Sequence, residues 1–139
     1  MIIDKALYLA DGEAVTSATK YSTNFVDLTK TDGLQAFSEL YLVVKVGTAF
    51  AGGTSLNFQL ITASAAPSDE AGTGIGTVTV EATSGDIATA SLTENTIVWK
   101  LKMPDKVSRQ YLGLKIVPTG TFTGGNFKAF FTPMYPVEA

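Results

Sequence analysis

The stretch from Thr96 to Met134 constrains the fold most, because it holds three segments in which apolar and polar residues alternate. These predicted strands are Thr96–Met103, Gln110–Val117 and Asn126–Pro133. A period of two places successive side chains on opposite faces of a sheet, so each strand has one buried and one wet face. Trp99, the only Trp of the chain, lies on the apolar face of the first segment. We expect it to be buried between two sheets.

The rest of the chain continues this pattern in short runs separated by turn residues. The further predicted strands are Ala6–Ala10, Ser22–Leu28, Leu40–Val46, Leu56–Leu60, Thr77–Ala82 and Ile87–Leu92. Asp11-Gly12 and Ser84-Gly85-Asp86 are predicted turns, since Gly adopts positive φ readily. The one predicted helical turn is Leu34–Glu39. Eight or nine short strands without helical periodicity predict an all-β sandwich or barrel, and 139 residues suit a single domain.

The composition excludes several kinds of chemistry. The chain has neither His nor Cys, which removes the usual general base, the commonest metal ligand and all thiol chemistry. Its formal net charge of −3 argues against general nucleic-acid binding, which requires a basic face. Its apolar runs are far shorter than the roughly 20 residues that span a bilayer. We therefore expect no cofactor, no metal, no nucleic acid and no membrane partner.

The first residues also bear on where the protein is made. Met1–Lys5 has an acid at position four and no long apolar run, unlike a signal peptide. We expect synthesis in a cytoplasm without export.

Each motif that could carry chemistry lacks the context that it needs. Gly72–Gly76 resembles a phosphate-binding loop, but a predicted strand follows it where a helix is required. Two groups of acids that are close in sequence lack the spacing of a hard-cation site and are interpreted as solvated turn acids. They are Asp4, Asp11, Glu13, Asp69 and Glu70. Glu81 and Glu94 have no spacing that marks a glycosidase pair, and no Ser lies in a nucleophile turn. We expect no enzymatic activity.

Two groups of residues are candidates for protein contacts. Basic residues concentrate around Trp99, in a set that consists of Lys100, Lys102, Lys106, Arg109 and Lys115. They form either a solvated face or a cationic contact for an acidic protein surface. The N-terminal arm, about residues 1–16, carries the apolar residues Ile2, Ile3, Leu7 and Tyr8. It is too apolar for a solvated tail, so we expect it to pack against the sandwich or a neighbouring subunit.

Several blocks of the chain, taken in order, resemble a known protein family. The blocks are Met1–Lys5, Asp11–Thr16, Leu40–Val46, Tyr111–Ile116 and Phe122–Gly125. They are similar to the small jelly-roll capsid cement (head decoration) proteins of tailed bacteriophages. The resemblance implies a single-domain, antiparallel jelly-roll-like β-sandwich of about eight strands without catalytic residues.

The resemblance also implies a location and partners. It places the protein on the outer capsid surface of the virion, as a small homo-oligomer that bridges neighbouring major capsid proteins. A two-fold dimer is the commonest closed assembly, and a trimer would suit a capsid three-fold position. The resemblance does not identify the contact residues; from the apolar N-terminal arm and the basic residues we expect capsid or subunit contacts at Ile2, Ile3, Leu7, Tyr8, Lys100, Lys102 and Lys106.

Two other functions are open at this point. A virion adhesin or fibre-type domain of the same architecture would bind carbohydrate through an exposed aromatic platform, for which Tyr8, Tyr21 and Phe50 are candidates. A small hydrolase is the least supported, because the sequence contains no recognisable acid–base constellation.

Overall fold

The computed structural model describes residues 8–27, 41–102 and 109–132, and nine β-strands lie within these ranges. The strands are β1 Tyr8–Ala14, β2 Lys20–Tyr21, β3 Val26–Asp27, β4 Tyr41–Val46, β5 Ser55–Ala63, β6 Val78–Ala88, β7 Ile97–Lys102, β8 Tyr111–Thr119 and β9 Asn126–Thr132. A 3-10 turn at Thr89–Ser91 follows β6. In the same ranges, no helix is long and apolar enough to cross a membrane.

The strands form two antiparallel sheets. The first sheet has the order β1-β9-β4-β7, and the second has the order β2-β8-β5-β6, with β3 also paired to β8. Apart from β2–β3 and β5–β6, each connection between consecutive strands passes from one sheet to the other. This is the order of a double-sheet jelly roll, so the predicted antiparallel jelly-roll-like sandwich is confirmed.

Aromatic and leucine side chains fill the space between the sheets. Phe58 of β5 and Phe127 of β9 are fully buried and meet edge to face, with ring centroids 5.3 Å apart. On β4, Leu42 and Val44 belong to the same core. Val43, between them, is also fully buried on the other side of the sheet. Strand β4 is therefore a central strand with apolar residues buried on both faces.

Trp99 is less buried than the sequence predicts. It packs against the core but is only partly buried. The reason is the place of its strand, since β7 is an edge of the first sheet and, among the described strands, pairs with β4 alone. The expected burial between two sheets is wrong, and Phe58, Phe127 and Phe131 are the large aromatic residues at the centre of the core.

Both predicted Gly turns are instead irregularities within continuous strands. Strand β1 runs through Asp11-Gly12, where the pairing with β9 shifts register and Gly12 has φ 78°. Strand β6 runs through Ser84-Gly85-Asp86, where the pairing with β5 shifts and Gly85 has φ 71°. A β-bulge accommodates the left-handed conformation of Gly as readily as a turn does. The predictions of a chain reversal at these two places are wrong.

Three other sequence predictions have different outcomes. The strand predicted over Ser22–Leu28 is confined in the described residues to Val26–Asp27. The strand predicted over Ile87–Leu92 is the end of β6 followed by the 3-10 turn. Leu34–Glu39 lies outside the described residues.

Candidate functional site

Strand alternation brings four lysines to the outer side of the first sheet. On β4, Leu42, Val44 and Val46 belong to the core, so Val43 and Lys45 lie on the opposite side. The residues directly opposite in register share that side. Lys45 faces Lys128, Val43 faces Lys100, and Tyr41 faces Lys102. We call the surface formed by Lys45, Lys100, Lys102 and Lys128 the basic face.

The lysines of the basic face differ in exposure and pairing. Lys100 and Lys102 are exposed. The Lys128 side chain is 48% exposed, and its Nζ lies 3.8 Å from the Asp11 carboxylate. Lys45 is half-buried, and the described residues provide it with no salt bridge. Four lysines thus share this face with the Asp11 carboxylate.

Asp11 of β1 lies beside Lys128 on the basic face, and other acidic side chains of the described residues lie elsewhere. Asp69 and Glu70 belong to the loop between β5 and β6, and Asp86 lies on β6 of the second sheet. The chain as a whole has a formal net charge of −3. The protein is therefore acidic overall, but the outer side of its first sheet is rich in lysine.

The sequence prediction captured part of this surface. Lys100 and Lys102 lie on it, together with Lys45 and Lys128, which were missed because they are distant in sequence. Tyr8 begins β1 opposite Phe130 in register. The predicted contact residues Ile2, Ile3, Leu7 and Lys106 lie outside the described residues.

Two other residues of the predicted basic set lie elsewhere. Lys115 is on β8 in the second sheet, opposite Gln59. Arg109 donates a hydrogen bond from Nε to Thr79 Oγ1 at 3.1 Å. The basic cluster around Trp99 is therefore divided between the two sheets.

A shallow groove of about 210 Å³ lies beside the pair Lys45 and Lys128. Its lining consists of Lys45, Val46, Gly47, Asn95, Lys128 and Phe130. Phe130 is only 7% exposed and lies outside the core between the sheets, so it gives the groove an apolar wall. Asn95 is exposed and has φ 60°, a left-handed conformation that Asn tolerates in turns.

Glu13 is a buried structural acid, and the interpretation of it as a solvated turn acid is wrong. It is 6% exposed, and its Oε1 accepts a hydrogen bond from the backbone N–H of Thr23. Its Oε2 accepts no aligned hydrogen bond but lies 3.2 Å from Lys20 Nζ. Lys20 also lies 3.3 Å from Glu70 Oε1, so one ammonium group joins β1 to the loop between β5 and β6.

In the same loop, Asp69 stabilises the loop's own backbone. Asp69 accepts hydrogen bonds from the backbone N–H groups of Ala71 and Thr73, and from Thr73 Oγ1 at 2.7 Å. The Thr73 hydroxyl and the loop N–H groups hold the pKa of Asp69 below its ordinary value of 3.8. The glycine motif Gly72–Gly76 leads directly into β6, so the predicted strand after it is confirmed. The loop thus lacks the helix that a phosphate-binding motif requires.

The aromatic residues suggested for a carbohydrate platform do not form one in the described residues. Phe50 is 5% exposed and packs edge to face with Phe122, with ring centroids 5.6 Å apart. Tyr21 is half-buried. The suggestion that Phe50 is available on the surface is wrong, because its loop folds back onto the core.

The fold and this surface define a class of protein, a jelly-roll β-sandwich with a basic outer sheet face. The model of the Bbp16 family matches residues 9–131, which is most of the chain, and the protein therefore belongs to the Bbp16 family. A comparison with curated proteins finds no match.

Proposed function

We propose that this protein binds the outer surface of a tailed-phage capsid and cements neighbouring major capsid proteins. The observation that carries the proposal is the basic face, where four lysines share one side of a sheet in a chain of net charge −3. An acidic protein surface would complement this face, orient the sandwich on arrival and disfavour wrong partners. The ordered resemblance to capsid cement proteins supports the same function.

The proposed role is binding without catalysis. A protein that binds the assembled lattice, and not its separate subunits, stabilises that lattice by mass action. A homo-oligomer, either a dimer or a trimer, would contact several capsid proteins at once and gain avidity through effective concentration. Its proposed location is the outer surface of the virion, after synthesis in the host cytoplasm.

The adhesin alternative has less support. A carbohydrate site in a β-sandwich would need exposed rings, and Phe50 is buried against Phe122. Of the other two candidates, Tyr21 is half-buried.

The decisive experiment is sedimentation of the protein with purified capsids that lack decoration, compared with binding to a glycan array. We expect saturable binding to capsids, no glycan selectivity, and capsids that resist heat better once bound. Glycan binding without capsid binding would replace the proposal with the adhesin.

Charge reversal at Lys100 and Lys102 tests how the basic face acts. Rim charges contribute only about 0–1 kcal/mol each, so reversal should mainly slow association and make it less sensitive to salt. Lys115→Glu, on the second sheet, is the control that changes charge elsewhere. Equal slowing by Lys115→Glu would show that total charge matters and the basic face does not.

The N-terminal segment needs a truncation that spares the fold. Leu9 is fully buried in the core and Tyr8 begins β1, so a deletion should stop at residue 7. We expect the deletion of residues 2–7 to abolish capsid binding or oligomerisation. A truncated protein that decorates capsids with unchanged affinity would show that this segment plays no part.

A further inference from the structure

We infer that the groove between Lys45 and Lys128 binds a carboxylate side chain from an extended acidic segment of a partner protein. The inference rests on the proposed function only in identifying that partner as the capsid protein. The groove itself is defined by its own residues, and its chemistry can be tested without a capsid.

The first argument is the direct opposition of two like charges. Lys45 and Lys128 are register partners on neighbouring strands, and like charges at directly opposite positions destabilise a sheet. Asp11 lies 3.8 Å from Lys128, and the described residues give Lys45 no acidic partner. A carboxylate placed between the two ammonium groups would compensate both charges at once.

The second argument is the chemistry of the other groove residues. Asn95 adds an amide group, and it stands on a turn fixed by a hydrogen bond from Thr96 N to Thr93 O and one from Val46 N to Thr96 O. Phe130 adds an apolar wall. Two ammonium groups, one amide and an aromatic ring match a carboxylate on a short aliphatic stem, the side chain of Glu or Asp.

The third argument is the distribution of the other lysines. Lys100 on β7, Lys45 on β4 and Lys128 on β9 lie on three neighbouring strands, which are spaced about 4.8 Å apart. Carboxylates at alternate positions of an extended chain lie about 6.8 Å apart on one side of it. Lys100 is opposite Val43, two residues along β4 from Lys45, so a second acid of the same segment could reach Lys100 while the first lies between Lys45 and Lys128.

The test uses a synthetic peptide of alternating Glu and Thr, with a Gln-for-Glu peptide as the uncharged control, titrated against the full-length protein by NMR. We expect amide shifts at Gly47, Asn95 and Lys128 with the Glu peptide only. Lys45→Gln should weaken binding about tenfold, the effect of losing one ion pair worth 1.4 kcal/mol.

Lys115→Gln is the matched control variant, because Lys115 is also half-buried, lies on an inner strand and loses one charge. We expect it to bind the Glu peptide within about twofold of the native protein, since no groove residue has changed. Equal binding of the Glu peptide by native protein and Lys45→Gln would overturn the inference. So would binding of a sulfated heparin oligosaccharide in place of the Glu peptide.

The same variant separates this inference from the capsid proposal. Peptide binding that depends on Lys45, without binding to capsids, would support the groove and contradict the cement function. Capsid binding that is unchanged in Lys45→Gln would support the cement function and contradict the capsid protein as the partner that the groove binds. Lys45→Gln removes a like-charge contact, so it should fold at least as stably as the native protein.

Discussion

The carboxylate of Glu13 and the ammonium group of Lys20 form an ion pair at 3.2 Å, with side chains only 5% and 12% exposed. Lys20 also donates to the carbonyl oxygen of Ala14 at 2.7 Å. The pair joins the end of β1 to β2, and through Glu70 it holds the loop that precedes β6. We therefore expect the removal of one partner of this ion pair to destabilise the sandwich strongly.

Lys20→Met should lower the free energy of unfolding by about 3 kcal/mol, because it leaves the Glu13 carboxylate buried without compensating charge. The double variant Glu13→Gln/Lys20→Met should recover most of that loss, since neither charge remains. Glu70→Gln removes only the exposed partner and should cost about 0–1 kcal/mol. Urea denaturation measures all three, and a double variant as unstable as Lys20→Met would contradict the explanation.

Lys45→Glu should stabilise the protein while it changes the basic face. It replaces a like-charge pair with Lys128 by an opposite-charge pair, a gain of about 0.5–1 kcal/mol for cross-strand neighbours. The gain should shrink in high salt, which screens partly exposed charges. Lys115→Glu, opposite Gln59, is the control and should change stability little. A Lys45→Glu protein less stable than the native one at low salt would refute the predicted repulsion.

Trp99→Ala should be less destabilising than Phe127→Ala, although Trp is the larger side chain. Phe127 is fully buried, and its loss should cost about 3–5 kcal/mol including the cavity. Trp99 is partly exposed on edge strand β7, so about 2 kcal/mol is expected. Chemical denaturation followed by circular dichroism compares them without relying on Trp fluorescence. A larger loss of stability in Trp99→Ala than in Phe127→Ala would contradict the partial burial of Trp99 on an edge strand.

The loop containing Asp69 should lose order at low pH. Hydrogen bonds from the loop lower the pKa of Asp69 below 3.8 in the folded protein. The ionised carboxylate therefore stabilises the folded loop fully above pH 3.8, and this stabilisation is lost as the pH falls through the lower folded pKa. Thr73→Val removes the largest cause and should move the Asp69 midpoint upward. NMR titration of the carboxyl group measures the midpoint, and one unchanged by Thr73→Val would contradict the assignment.

Gly113 leaves space for an aromatic ring. A Cβ added there would lie 2.5 Å from the Phe25 ring, so Gly113→Ala must displace it and should cost about 1–3 kcal/mol. Gly124→Ala is the control, because no atom lies within 4 Å of its added Cβ. Thermal denaturation compares the two variants, and an equally mild effect at both positions would show that Phe25 is free to move.

Much of the local structure follows from the sequence because side-chain alternation is a local property. The alternation in β7 separates Lys100 and Lys102 from Trp99 and Leu101, and in the structure the lysines are exposed while Trp99 and Leu101 pack against the core. The apolar run of β4 likewise marks a central strand. The absence of His and Cys is also fixed by the sequence, before any folding.

Local patterns do not reveal how a strand is paired, and that is where the sequence predictions failed. Gly12 and Gly85 have positive φ, which both a turn and a β-bulge accommodate. They form bulges because β1 pairs with β9, and β6 with β5, on both sides of the glycine. The same holds for Trp99, whose partial exposure follows from the edge position of β7 among the described strands.

The candidate site shows the same division between local and tertiary information. The sequence places Lys45 and Lys128 on alternating strands, but nothing local indicates that they meet. Sheet order makes β4 and β9 neighbours, and register places the two lysines directly opposite each other. Charge, polarity and strand faces were therefore set by the sequence itself. The groove and its paired charges exist only in the folded chain, because long-range strand pairing creates them.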